Sequence, residues 1–199
     1  MTKAPLRPDR RAERHIETRE RIVQTAWALA RERGLAGWSL RDVAESVGMR
    51  APSLYVYFDS KNALYDAMFA DGYRTLMARI AATSTEGAPA EVLRRAANLS
   101  FDFSVEDPAR HQLLFLRTIP GFTPSADSYT LAQAVLEKLT DVLRTAGVGS
   151  TEQVDLWTAM FTGMASQQIS NDPGGDRWHR LIDDAVTLLT EPRPTVPLS

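Results

Sequence analysis

The chain has 199 residues, 44% of them hydrophobic and 24% charged, with no cysteine. This is an ordinary globular balance, long enough for a small module beside a second core, and it excludes disulfides, thiolate metal sites and cysteine nucleophiles. The net charge of −2 hides an asymmetry: residues 1–61 carry twelve Lys/Arg against eight Asp/Glu, whereas residues 62–199 carry eleven against seventeen.

Residues 1–14, with two prolines and a cluster of arginines, read as a flexible arm that is either a plain tail or a minor-groove or backbone contact. From Ile16 the pattern turns helical: Ile22, Ala26, Leu29 and Ala30 recur at three- and four-residue spacing, and Gly34 stops the run behind a basic last turn. Ser39-Leu40-Arg41-Asp42 is a capping box that opens a short helix with an apolar stripe at Leu40, Val43, Ala44 and Val47, ended by Gly48. Pro52 suits the first turn of a second short helix over 51–58, and Asp59-Ser60 caps a long helix over 61–82. Beyond a break at 84–89, helices are expected over 90–105, 108–116, 125–146, 151–171 and 176–190. An apolar, proline-rich loop covers 119–124, and a tail with Pro192, Pro194 and Pro197 frays. No run of period-two alternation occurs. The expected fold class is therefore all-α, about nine helices, with residues 1–60 as arm and head and residues 61–199 as a larger helical body.

Two short helices around a glycine turn have the layout of a helix-turn-helix. The second must be short and must turn its early residues outward to reach a major groove. Leu54 and Phe58 lie four apart and face the core. That leaves Arg50, Ala51, Ser53, Tyr55, Val56 and Tyr57 more exposed in a segment of positive net charge. Phenolic hydroxyls donate to phosphate oxygens, and Lys61 stands at a helix N-terminus where its charge and the backbone both favour phosphate.

These residues resemble a known family. Thr18–Leu64 is similar to the DNA-binding domain of the TetR family of transcriptional regulators. The likeness rests on Arg21-Ile22-Val23, Gly34, Ser39-Leu40-Arg41-Asp42-Val43-Ala44, Gly48, Leu54-Tyr55-Val56-Tyr57-Phe58 and Lys61-Asn62-Ala63-Leu64. The resemblance implies a three-helix DNA-binding head, a helical ligand-binding and dimerisation body, and a homodimer. It also implies repression by binding a palindromic duplex operator that a small-molecule effector releases. By position, Ser39 and Arg41 meet phosphate or base, Tyr55 and Lys61 grip phosphates, and Tyr57 stands where the family has His or Tyr. Arg50 replaces the common small hydroxyl residue and Val56 a polar one, so Arg50, Ser53 and Val56 are assigned to base edges. Arg50 then reads guanine or holds phosphate, and Val56 touches a thymine methyl.

In the body, Trp157, Phe161, Met164 and Gln168 share one helical face. Such a stripe is either packed core or the wall of an apolar pocket, and Phe103 and Phe115 join it in the pocket reading. Ala159, Gly163 and Ser166 form a small-residue stripe that allows a close helix approach, and the last two long helices are expected to pair across a two-fold axis. Arg117 is a surface charge or a pocket anchor. His15, His111 and His179 are scattered, so no metal site and no cofactor is expected. No phosphate loop, nucleophile elbow or zinc-protease motif occurs, so an enzyme is not expected. No apolar run reaches the ~20 residues of a membrane span, and the first residues have no signal-peptide core, so a cytoplasmic protein without a membrane partner is expected. The rival readings are a DNA-binding protein of the same fold that answers to a protein partner or organises DNA, and an all-α interaction protein or enzyme.

Overall fold

The computed structural model describes residues 10–190, all helix and connecting turn, with no strand among them. The first nine residues of the expected arm and the expected tail after Thr190 lie outside that range.

The head is α1 (Arg10–Arg33), α2 (Leu40–Val47) and α3 (Ala51–Leu54). Residues 10–14 belong to α1, which corrects the expected start at Ile16. The absence of an apolar face there misled, because Arg14 Nε donates back to the Arg10 carbonyl and Thr18 Oγ1 to the Arg14 carbonyl. At α2 the capping box forms in full: Ser39 Oγ accepts from the Asp42 amide and Asp42 accepts from the Ser39 amide at 2.7 Å. Gly48 closes α2 in the left-handed region, φ 77°, where an L side chain is disfavoured.

α3 is one turn long, not the expected eight residues. Its amides bond back to Arg50 and Ala51. The chain then turns, with the Tyr57 and Phe58 amides both donating to the Leu54 carbonyl at 2.9 and 3.0 Å. Two contacts from α1 hold that turn. Arg19 Nη1 donates to the Tyr57 carbonyl at 3.0 Å, and the His15 ring stacks on Tyr57 at 4.7 Å.

The body follows as α4 (Lys61–Ala82), α5 (Pro89–Val105), α6 (Pro108–Phe115), α7 (Ala126–Thr145), α8 (Thr151–Asn171) and α9 (Ile182–Thr190). Ser60, Asp107, Ser125 and Ser150 cap α4, α6, α7 and α8 through side-chain oxygens. The last helix starts at Ile182, after a 3-10 turn at His179–Leu181, and not at Asp176. Bonds across five and ten positions hold the turn before it: Asp172 Oδ2 accepts from the Arg177 amide and Gln168 Oε1 from the Trp178 amide, each at 2.9 Å. α4 packs on α1 as well as on α6 and α7, and the buried apolar side chains run as one cluster from Ile22 to Leu189. A Cβ on Gly72 of α4 would stand 2.6 Å from Leu114 Cδ1, so glycine is what lets α4 and α6 close together.

Candidate functional site

Two places in the molecule gather the sequence candidates. The first is the outward side of the head. Leu54 is the buried residue of α3 and anchors it to the core, with Phe58 beneath the following turn. Outside this anchor Tyr55 is 54% and Val56 75% exposed, and Arg41, Arg50 and Ser53 are exposed as well. Ala51 is half-buried. Ser39 is exposed, but its Oγ also donates to Asp42 Oδ2 at 2.6 Å. That hydrogen bond, the Ser39 backbone amide and nearby Arg33 hold the Asp42 carboxyl below the usual carboxylate range.

Lys61 is placed differently from a free helix-start cation. It is half-buried, its Nζ donates to the Trp38 and Ala36 carbonyls, and it lies 4.3 Å from the centre of the Trp38 ring. Burial pushes its ammonium below the ordinary lysine value, opposed by the charge of Asp42. Tyr57, half-buried, sits against His15 rather than in solvent. Arg11, Arg14, His15 and Ile16 of α1 share a surface depression with Val56 and Tyr57. Arg19, which the sequence reading passed over, supports the face from behind, with its guanidinium 4.2 Å from the Phe58 ring centre. Its partner lies 38 positions away, so no local pattern points to it.

The second place is a cavity of about 100 Å³ inside the body. Phe103, Phe115, Trp157 and Phe161 all border it, brought together from α5, α6 and α8. Met164 is half-buried but does not border it, and Arg117 is exposed and outside it. The remaining wall includes Leu76, Leu99 and Leu139, and four hydroxyl residues that the sequence reading missed. These are Ser100 with Ser104 and Thr158 with Thr162, two pairs at a spacing of four, which on a helix share one face. That spacing was the available signal.

Between head and body stands a charged cluster. Arg31 at the end of α1 meets Asp107, the cap of α6, at 2.8 Å. Arg79 of α4 meets Glu106 at 2.6 Å, which lowers the Glu106 carboxyl and raises the guanidinium. Arg110 covers the Phe103 ring at 3.8 Å and donates to the Phe103 carbonyl at 2.7 Å. Beside the cavity wall, buried His111 shares a 2.8 Å hydrogen bond between Nε2 and Ser166 Oγ, and burial pushes it down to about 4. No group of His, Asp and Glu that could hold a metal occurs among the described residues, and no helix there is long and apolar enough to cross a membrane.

Residues 22–68 match the family model described as bacterial regulatory proteins, tetR family. The negative transcriptional regulator IcaR of the biofilm operon icaADBC from Staphylococcus aureus is 40% identical over 48 residues, 24% of this chain and 26% of that protein. The class C tetracycline repressor from Escherichia coli is 40% identical over 50 residues, 25% of this chain and 23% of that protein. The chain thus aligns with about a quarter of the length of these curated relatives. Solved structures extend the likeness to the whole fold. A tetR-family transcriptional regulator from Streptomyces coelicolor superposes with a TM-score of 0.71 at 20% identity, covering 87% of this chain and 79% of that one. FadR from Bacillus subtilis, solved in complex with stearoyl-CoA, gives 0.64 at 15% identity, covering 85% and 96%.

Proposed function

We propose, on the premise that this chain is a member of the tetR family of bacterial regulatory proteins, that it is a sequence-specific DNA-binding regulator of transcription. It acts as a homodimer on a palindromic operator, and a small molecule in the body cavity releases it. The observation that carries the DNA reading is the outward face of α3 and its turn. Tyr55 and Val56 stand exposed beside the buried Leu54, Arg41 and Arg50 of the same head are exposed too, and Val56 shares a depression with Arg11 and Arg14. An exposed methyl-bearing side chain suits a base edge, while exposed guanidinium groups and a phenol suit phosphate.

In this reading Arg50, Ser53 and Val56 meet base edges, with Ala51 close to the groove floor, and Ser39, Arg41, Tyr55 and Tyr57 meet phosphate or sugar. Lys61 serves two roles. An ammonium carries three N–H groups. Two of them hold the Ala36 and Trp38 carbonyls, and the third, with the charge, is left for a phosphate. The pairing surface is the outer side of α8 and α9, where Leu156 is 39% and Leu188 69% exposed beside exposed Ala159 and Gly163.

The test is selection of binding sites from random duplex DNA by the full chain. An enriched inverted repeat, bound by two copies, is the expected result. No enrichment over the starting pool refutes the DNA reading, and a lone half-site bound by one copy refutes the dimer. A second reading, control by a protein partner without a small ligand, draws on the cavity's volume of about 100 Å³, below the 300–1,000 Å³ usual for drug-sized ligands.

A further inference from the structure

We infer that Arg19 sets how selectively the head reads base pairs without itself meeting DNA. It is a positioning residue that, with His15 one turn before it on α1, fixes the turn carrying Tyr55, Val56 and Tyr57. The inference rests on the DNA reading above and adds the part of α1 on which base discrimination depends. Three observations carry it.

The first is that α3 does not fix this turn by itself. It is a single helical turn, and the amides of Leu54 and Tyr55 reach the Arg50 and Ala51 carbonyls only at 3.4 Å each. One turn of helix has too few hydrogen bonds to hold its own shape. Leu54 anchors its end in the core, but Tyr55 and Val56 beyond it are exposed, so burial does little to orient them.

The second is what Arg19 grips. Its Nη1 donates to the Tyr57 carbonyl at 3.0 Å while its guanidinium lies over the Phe58 ring, 4.2 Å from the centre. One side chain thus holds the backbone of one residue and the ring of the next. A planar guanidinium can stack and donate at the same time, whereas an ammonium reaches the carbonyl but has no flat face for the ring. The third is the footing of the brace. His15 and Arg19 are four apart and share a face of α1. The His15 ring stacks on Tyr57 at 4.7 Å and 21°. The next turn of the same helix is rooted in the core through Ile22, Val23 and Ala26.

A base edge has to be met at one place, whereas phosphates repeat along the duplex and tolerate a looser turn. Freeing the turn therefore costs base readout first, because apparent affinity falls with the fraction of molecules that hold the competent shape.

The test is binding of the full chain, at several salt concentrations, to a duplex selected from random DNA and to a scrambled duplex of equal length. Arg19→Lys, which keeps the charge, is expected to lower affinity for the selected duplex about tenfold and for the scrambled one less than about twofold. Arg19→Met is expected to do the same, with the salt slope on the selected duplex unchanged in both variants. Hydrogen exchange of the Tyr57 and Phe58 amides is expected to quicken while that of Ile22 to Ala30 is held, which shows that the fold is intact. His15→Phe, which keeps a ring on Tyr57, is expected to retain the selectivity that His15→Ala loses in part. If Arg19→Lys binds as the unsubstituted chain does, while Arg19→Met weakens both duplexes and loses roughly one unit of slope per head, Arg19 is a phosphate contact and the inference is overturned. An unchanged ratio of selected to scrambled affinity in both Arg19 variants overturns it as well, and leaves the DNA reading standing. If the unsubstituted chain enriches no duplex, the DNA reading itself fails and this inference falls with it.

Discussion

The head and the body are built from the same kind of helix, yet they solve opposite problems. In the head, a one-turn helix is wedged in place by side chains that leave it little freedom: Leu54, Phe58, Val43 and Trp38 are all 3% exposed or less. In the body, longer helices surround an unfilled volume and bury polar groups, with His111, Gln168 and Asp107 each under 5% exposed. A surface that reads a rigid duplex gains from fixed geometry, because each misplaced group loses its partner. If the body responds to a ligand as proposed, it needs two arrangements of similar free energy, and a void helps to keep such arrangements close. The contrast to be tested is therefore between the filled surroundings of Leu54 and the unfilled volume beside Phe115.

Substitution of the two regions should expose that contrast. Phe58→Ala is expected to lose about 3–5 kcal/mol of stability in urea denaturation, the range for emptying a well-packed site. Phe115→Ala, half-buried at the cavity edge, is expected to lose less than half as much. Equal losses would mean that the body is packed as tightly as the head.

Acid should weaken the body through His111. Its imidazole is pushed from 6.5 down to about 4 because burial disfavours the charged form. Below pH 6.5 the unfolded chain therefore takes up a proton that the folded chain refuses. Stability from this group is complete above 6.5 and is lost as pH falls toward 4, a total of roughly 3 kcal/mol. His111→Gln is expected to flatten the stability curve between those limits, and an unaltered slope would remove His111 from the account.

The junction between the regions should give a smaller effect. Asp107→Ala removes both the cap of α6 and the partner of Arg31. With the Arg31 side chain 48% exposed, the ion pair is screened, and about 1–2 kcal/mol is expected in total. Native-state hydrogen exchange is expected to quicken at the start of α6 and the end of α1 together. Exchange confined to α6 would show that Asp107 acts as a cap alone.

The smallest changes belong to the face proposed for DNA. Lys61→Ala is expected to reduce the salt dependence of duplex binding by about one unit of slope per head. It should also lower the melting temperature slightly, since the Ala36 and Trp38 carbonyls lose their donor. A lower melting temperature with an unchanged slope would assign Lys61 to the loop alone. Tyr55→Phe removes a neutral donor, so binding is expected to weaken by about 0.5–1.5 kcal/mol with the slope unchanged. A changed slope there would contradict a neutral phosphate contact.

The residue string was enough to determine the all-α class, the two short helices around Gly48 and the Ser39–Asp42 cap. These are signals exchanged within about four residues, where the backbone itself sets who meets whom. It also named Phe103, Phe115, Trp157, Phe161 and Met164 as packed core or pocket wall without deciding between the two, and only the first four border the cavity. Only the tertiary structure decided the rest. α3 stops at Leu54 because Arg19, 38 positions from Tyr57, holds the next turn. α9 waits for Ile182 because Asp172 and Gln168 bind the turn before it. Lys61 is drawn to loop carbonyls 23 and 25 positions away, and Arg31 finds Asp107 at a separation of 76. Whether aromatic side chains fill a space or only surround it depends on how helices from distant parts of the chain pack, and that is a property of volumes in three dimensions, which no spacing along one helix contains.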